Sequence, residues 1–206
     1  MRGSPQFFLA LSQAKQIKKL SIRFNLALLG NIKFLSSLKH LEELTIVGRE
    51  PNEVVDPELF RSLSQLENLA NLNITNIIGK DDQYSLFRTM TGLKKISIDN
   101  PSSSVTDKLF TTLSHCSKLQ SITLTKMSSI NGTMLSDLSV LPELTHMHFT
   151  NIGFSSGEVL RLTQLPKLNT VSFSGNTESN VGQYIHLINK LNPNLNIQFN
   201  ELFIPR

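Results

Sequence analysis

His146 and His148 flank Met147 in the run Thr145-His146-Met147-His148-Phe149. Residues two apart on a strand point to one face, so both imidazoles would project from the same side, as half of a metal site requires. The same slots in the neighbouring segments of like pattern hold Ser121, Thr123, Thr170 and Ser172. These offer no third ligand, so no metal is expected and the two histidines are candidate polar contacts for a partner. Asp81-Asp82 has the charge for a cation, but no further ligand at a useful spacing. Cys116 is the only cysteine. A lone thiol cannot form an internal bridge, which points to a reducing, cytoplasmic setting. Its place just before an apolar strand reads as core, not as a nucleophile. No phosphate-cradling glycine loop, Ser-His-Asp order or paired carboxylates in a predicted pocket occurs. The sequence therefore predicts no catalysis, no cofactor and no small-molecule substrate.

The elements that carry these residues recur. One phrase appears eight times: an apolar residue, two variable residues, an apolar residue, one variable residue, an apolar residue. It reads Ile17…Leu20-Ser21-Ile22, Leu41…Leu44-Thr45-Ile46, Leu69…Leu72-Asn73-Ile74 and Leu93…Ile96-Ser97-Ile98. It continues as Leu119…Ile122-Thr123-Leu124, Leu144…Met147-His148-Phe149, Leu168…Val171-Ser172-Phe173 and a degenerate Asn192…Leu195-Asn196-Ile197. The central apolar positions fall at 20, 44, 72, 96, 122, 147, 171 and 195. A near-constant step of that size is the mark of a solenoid.

Within each phrase the apolar residues point inward and the intervening ones outward, the period of a strand. A helical return should follow each strand. Asp56-Pro57 before Leu59, Phe60, Leu63 and Leu66 has the cap, first-turn residue and apolar face of a helix. Ser155-Ser156-Gly157-Glu158 before Val159, Leu160 and Leu162 has capping-box spacing. Val181, Tyr184, Ile185, Ile188 and Leu191 lie on one helical face. Parallel strands with one-handed helical connections give an α/β solenoid, a horseshoe with its sheet on the concave side and helices on the convex side. The whole chain, 1–206, is expected to be one domain of about eight repeats. Phe7, Phe8, Leu9 and Leu11 should cap its start, and Leu202, Phe203 and Ile204 its end.

On these phrases the chain resembles the leucine-rich repeat superfamily over about residues 5–200, and within it the longer, helix-containing cytosolic subclass. The short extracellular subclass carries asparagine after the third apolar position. Here those positions are Asn25, Arg49, Ile77, Pro101, Met127, Ile152, Asn176 and Asn200. An asparagine ladder is thus broken through five repeats, where packing must replace it. The stretches 81–98 and 109–119 also look like parts of NOD-like receptors of innate immunity. F-box adaptors carry similar phrases. The resemblance implies a non-catalytic protein-binding scaffold, monomeric as an isolated domain. The readings are a sensing or regulatory module of a NOD-like receptor, a substrate adaptor in ubiquitin ligation, or a microbial effector.

Charge is uneven along the chain. Residues 1–41 hold Arg2, Lys15, Lys18, Lys19, Arg23, Lys33 and Lys39 and no acid, whereas the remainder is mildly acidic. The outward strand positions are mostly Ser, Thr and Asn, with no Trp, Tyr or Phe to anchor a partner. The small basic excess and the lack of interleaved aromatics argue against nucleic acid. No apolar run reaches the roughly 18 residues of a membrane span, and no signal peptide is read at the start. The candidate protein-binding residues are therefore Lys18, Lys19 and Arg23 in the first repeat, Arg49, Glu50, Lys80, Asp81 and Asp82 on strand-exit loops, and His146 and His148.

Overall fold

The computed structural model describes residues 5–23, 26–48, 53–54, 56–99, 104–155, 157–175 and 181–200. Eight parallel strands form one open sheet: β1 (Lys19–Arg23), β2 (Glu43–Val47), β4 (Asn71–Thr75), β6 (Lys95–Asp99), β7 (Ser121–Thr125), β8 (His146–Thr150), β9 (Thr170–Ser174) and β10 (Asn196–Asn200). The short strands β3 (Glu53–Val54) and β5 (Ile77–Ile78) pair beside it. The sheet register follows the repeat. Leu20, Leu44, Leu72, Ile96, Ile122, Met147 and Val171 stand side by side, with their intervening residues turned to the other face.

The last repeat departs from the sequence reading. Val171 pairs with Ile197, not Leu195, and Phe173 pairs with Phe199. A shift of two positions keeps the inward and outward faces, so the alternating apolar residues at 195, 197 and 199 satisfy either register. The aromatic stack decides. Phe149, Phe173 and Phe199 lie nearly parallel with centroids 5.8 Å apart at each step, and Phe154 meets the first two edge-on. Aromatic contacts of this kind are worth about 0.5–1.5 kcal/mol beyond their burial.

Repeat length sorts the convex returns. The longer repeats run from Leu44 to Leu72, from Ile96 to Ile122 and, in the observed register, from Val171 to Ile197. These return through the α-helices α2 (Glu58–Ser64), α4 (Lys108–Leu113) and α5 (Ile185–Leu191). The shorter repeats return through 3-10 turns at Leu26–Ser37, Leu135–Val140 and Glu158–Gln164, or through the brief α3 (Asp81–Tyr84) and a 3-10 turn at Ser85–Thr89. A 3-10 turn rises about 2.0 Å per residue against about 1.5 Å for an α-helix, so it crosses the same height with less chain. The helix expected after Glu158 is accordingly a 3-10 turn. Gly157 enters it in the left-handed region (φ 81°), and Glu158 pairs with Arg161. In α2 the expected start holds: the Glu58 N–H donates to Asp56 Oδ1 at 2.8 Å, and Leu59, Phe60, Leu63 and Leu66 are buried.

Packing replaces the missing asparagine ladder. Ile77, Met127 and Ile152 are fully buried. The strand exits just before them share one conformation. Asn76, Lys126 and Asn151 have φ of 56°, 57° and 53°, and Gly175 has 70°. Each of the first three donates its N–H to the next strand's last carbonyl, at 2.9 to 3.0 Å. Gly48 occupies the same place. A Cβ there would stand 2.2 Å from the Asn76 carbonyl oxygen.

The N-terminal cap is the helix α1 (Pro5–Gln13), which packs on the first return, with Phe8 5.4 Å from Phe34. Phe8 is buried, but Leu9 faces solvent at 63 % exposure and does not contribute to the cap. Leu202, Phe203 and Ile204 lie outside the described residues.

Candidate protein-binding surface

The outward residues of eight strands, spaced ~4.8 Å apart, make a polar concave face roughly 35 Å long. Its centre is a shallow depression of about 250 Å³ lined by Glu43, Thr45, Asn71, Asn73, Lys95, Ser97, Ser121 and Thr123.

The basic first repeat does not form one patch. Lys19 stands beside Glu43 in the sheet and pairs with it at 2.9 Å. Lys18, just before the strand, pairs with Glu42 at 2.8 Å. That hydrogen bond and the opposite charge raise the Lys18 pKa and lower that of Glu42. Both pairs are exposed and contribute little to stability. Arg23 sits at the other end of β1, about 13 Å from Lys19 at ~3.3 Å per residue. No acid pairs with it among the described residues. Arg49 and Glu50 lie outside the described residues.

His146 and His148 share a face, as the sequence predicts, with Met147 buried between them. Neighbouring hydroxyls already engage them. His148 Nδ1 is 2.6 Å from Ser172 Oγ, and its Nε2 is 3.0 Å from Thr150 Oγ1. His146 Nδ1 is 2.8 Å from Thr145 Oγ1. Partial burial pulls the His148 pKa below its ordinary value, so the neutral ring is favoured. Among the described residues no three His, Cys, Asp or Glu side chains are grouped to hold a metal. Cys116 is buried with its Sγ 3.4 Å from the Phe87 carbonyl oxygen, and desolvation pushes its pKa to about 12.

The two aspartates divide in role. Asp81 accepts the Thr106 N–H at 2.8 Å and the Thr106 hydroxyl at 2.7 Å. It clasps the next repeat and is not free for a partner. Sequence reasoning missed the second clasp, Asp107. This buried carboxylate accepts the N–H groups of Asn131, Gly132 and Thr133 at 3.0 to 3.2 Å and the Thr133 hydroxyl at 2.7 Å. An Asp or Thr just ahead of several returns, at Asp56, Asp81, Thr106-Asp107 and Thr133, was the available signal.

Lys80 and Asp82 stay exposed on the rim of a groove of about 680 Å³ between successive convex returns. Asp81, Arg88, Lys108, Thr111 and His115 are among its other polar lining residues. No acid pairs with Lys80, Arg88 or Lys108 among the described residues. The last two were not sequence candidates, because only the fold sets successive returns side by side.

Solved structures share this architecture. An internalin C2 from Listeria monocytogenes superposes with a TM-score of 0.50 at 24 % identity, over 71 % of this chain and 57 % of that protein. The fold is a leucine-rich repeat solenoid. A second Listeria monocytogenes internalin aligns with a TM-score of 0.47 at 16 % identity, over 95 % of this chain and 66 % of that one. The chain spans less than two thirds of the length of either internalin. No protein-family model matches the sequence, and no curated protein matches it. No described helix of the solenoid is long and apolar enough to cross a membrane.

Proposed function

We propose that this solenoid is a non-catalytic protein-recognition module whose partner docks on its charged surfaces, not on the Ser-, Thr- and Asn-rich centre of the concave face. One observation carries the reading. Lys80, Arg88 and Lys108 line a groove, shared with Asp81 and Asp82, in which no acid pairs with them among the described residues, while the middle of the concave face is mostly short hydroxyl and amide side chains, with Glu43 and Lys95 at its margin. Unpaired cations on a rigid frame steer and orient an acidic partner. Of the sequence candidates, Arg23, Lys80 and Asp82 belong to these charged surfaces. Lys18 and Lys19 serve mainly their own ion pairs. A cytoplasmic, sensing or regulatory role in a NOD-like receptor rests on the phrases at 81–98 and 109–119. A microbial setting rests on the architecture shared with an internalin of Listeria monocytogenes. Fold alone does not choose between them.

The test is capture of a stoichiometric partner by the native chain, followed by calorimetry with the Lys80→Glu, Arg88→Glu, Lys108→Glu triple variant. A loss of affinity of about tenfold or more supports the reading. Unchanged affinity in a folded variant refutes it.

A further inference from the structure

The most labile dipeptide of this chain lies under the Asp107 clasp. Of all its asparagines, only Asn131 is followed by glycine. Asparagine before glycine is the pair most open to spontaneous deamidation, because glycine has no side chain to shield its backbone nitrogen from the carboxamide before it. The fold nevertheless uses both residues. Gly132 is buried with φ of 93°, and a Cβ there would stand 2.6 Å from the Phe154 ring. Asn131 Oδ1 accepts the Thr133 N–H at 3.2 Å, closing the turn. The Gly132 nitrogen, the atom that would attack, donates to Asp107 Oδ1 at 3.0 Å. The N–H groups on either side of it, of Asn131 and Thr133, donate to the same carboxylate.

We infer that Asn131 is a site of spontaneous deamidation, that the Asp107 clasp holds it inert, and that conversion of Asn131 breaks the clasp irreversibly. The chemistry needs only water. The Gly132 nitrogen gives up its proton and bonds to Asn131 Cγ. The carboxamide C–N bond breaks, and its nitrogen leaves as ammonia with that proton. Water then opens the cyclic imide at either of its carbonyls, leaving aspartate or isoaspartate at 131. Asp107 opposes the first step twice. It pins the Gly132 N–H on itself, so the peptide unit cannot turn to bring its nitrogen onto Cγ. It also makes that nitrogen hard to deprotonate, since an anionic nitrogen would stand against a buried carboxylate. Attack therefore waits for the clasp to open locally. Either product then resists reclosure, because each adds a carboxylate beside Asp107. Isoaspartate also inserts a methylene into the backbone, so the N–H groups of 131, 132 and 133 no longer converge on one acceptor.

Peptide mapping by mass spectrometry over time, on the full chain in mildly alkaline buffer, tests this. Isoaspartyl methyltransferase labelling marks the rearranged product. Conversion at Asn131 in the folded chain should run at least roughly tenfold slower than in a free peptide spanning 130–134. Asp107→Asn keeps the shape but loses the charge and one acceptor oxygen, and should speed conversion at least roughly tenfold over the parent. Thr133→Val removes the hydroxyl bond to Asp107 at an exposed position. It should act in the same direction, and it carries the test where circular dichroism shows that Asp107→Asn does not fold. Leu63→Ala, a core truncation two repeats earlier, controls for global stability and should stay within about twofold of the parent. The deamidated chain, separated by ion exchange, should unfold at lower urea. Conversion as fast in the folded parent as in the peptide, clasp variants that match the parent, or equal acceleration by Leu63→Ala overturns the inference. So does deamidated protein that unfolds at the parent's urea midpoint.

Discussion

Asp107 commits both carboxylate oxygens to the next repeat, and it does so out of water. Removing a buried acceptor leaves its donors unsatisfied, which costs more than the bonds themselves contribute. Asp107→Ala should therefore lower stability by about 2–4 kcal/mol in urea titrations, while Asp82→Ala, at an exposed position, should stay within about 0.5 kcal/mol. Lys126 shows the opposite case. It sits at φ 57° where its counterparts are Asn76, Asn151 and Gly175, and side chains other than asparagine are disfavoured there. Its ion pair with Asp99, at 3.4 Å and half exposed, offsets little of that cost. Lys126→Asn should raise stability by about 0.5 kcal/mol, measured by the same titration. His148 gives a pH signature. Burial lowers its folded-state pKa, so below the ordinary value of 6.5 the unfolded chain binds the proton more readily. Stability should fall as pH drops through 6.5 and level off below the folded pKa. In His148→Asn that component of the pH profile should be absent. The sequence hinted at the clasp through the Asp or Thr ahead of several returns, but the donors Asp107 meets, the backbone conformation of Lys126 and the burial of His148 are set only by the stacked fold.

The strands were legible because a period-two apolar phrase that recurs eight times fixes both face and register. The first seven strands stand where the phrase puts them. In the last, Leu195, Ile197 and Phe199 alternate, and the periodicity fits two registers equally well. The aromatic stack, a contact between repeats, resolves it. The returns were less legible because apolar spacing does not separate an α-helix from a 3-10 turn over so short a segment. The length of the repeat does. Buried positions on the strands should be intolerant of charge. Leu124→Asp puts a carboxylate between Ile98 and Phe149 with no cation in reach, and should cost more than about 4 kcal/mol or prevent folding. A variant that melts with the parent would mean the register given for β7 is wrong.

For the whole molecule, recognition is proposed to follow charge and shape at the flanks, while the hydroxyl- and amide-rich concave centre is complementary surface without anchors. The sequence supplied half of the candidate surface. Lys80 and Asp82 stood out on a loop, but the groove they share with Arg88 and Lys108 arises only when successive returns stack. The most direct measurement compares two triple variants against the captured partner under the same salt. One reverses Lys80, Arg88 and Lys108 to glutamate. The other, Ser121→Ala, Thr123→Ala and Thr125→Ala, strips the central strand of its hydroxyls. The account predicts that the first slows association, weakens binding at least roughly tenfold and removes most of its salt dependence, while the second changes affinity less than about threefold. Loss of binding in the alanine variant, with the charge-reversed one still bound, would contradict it and move the functional surface to the centre of the sheet.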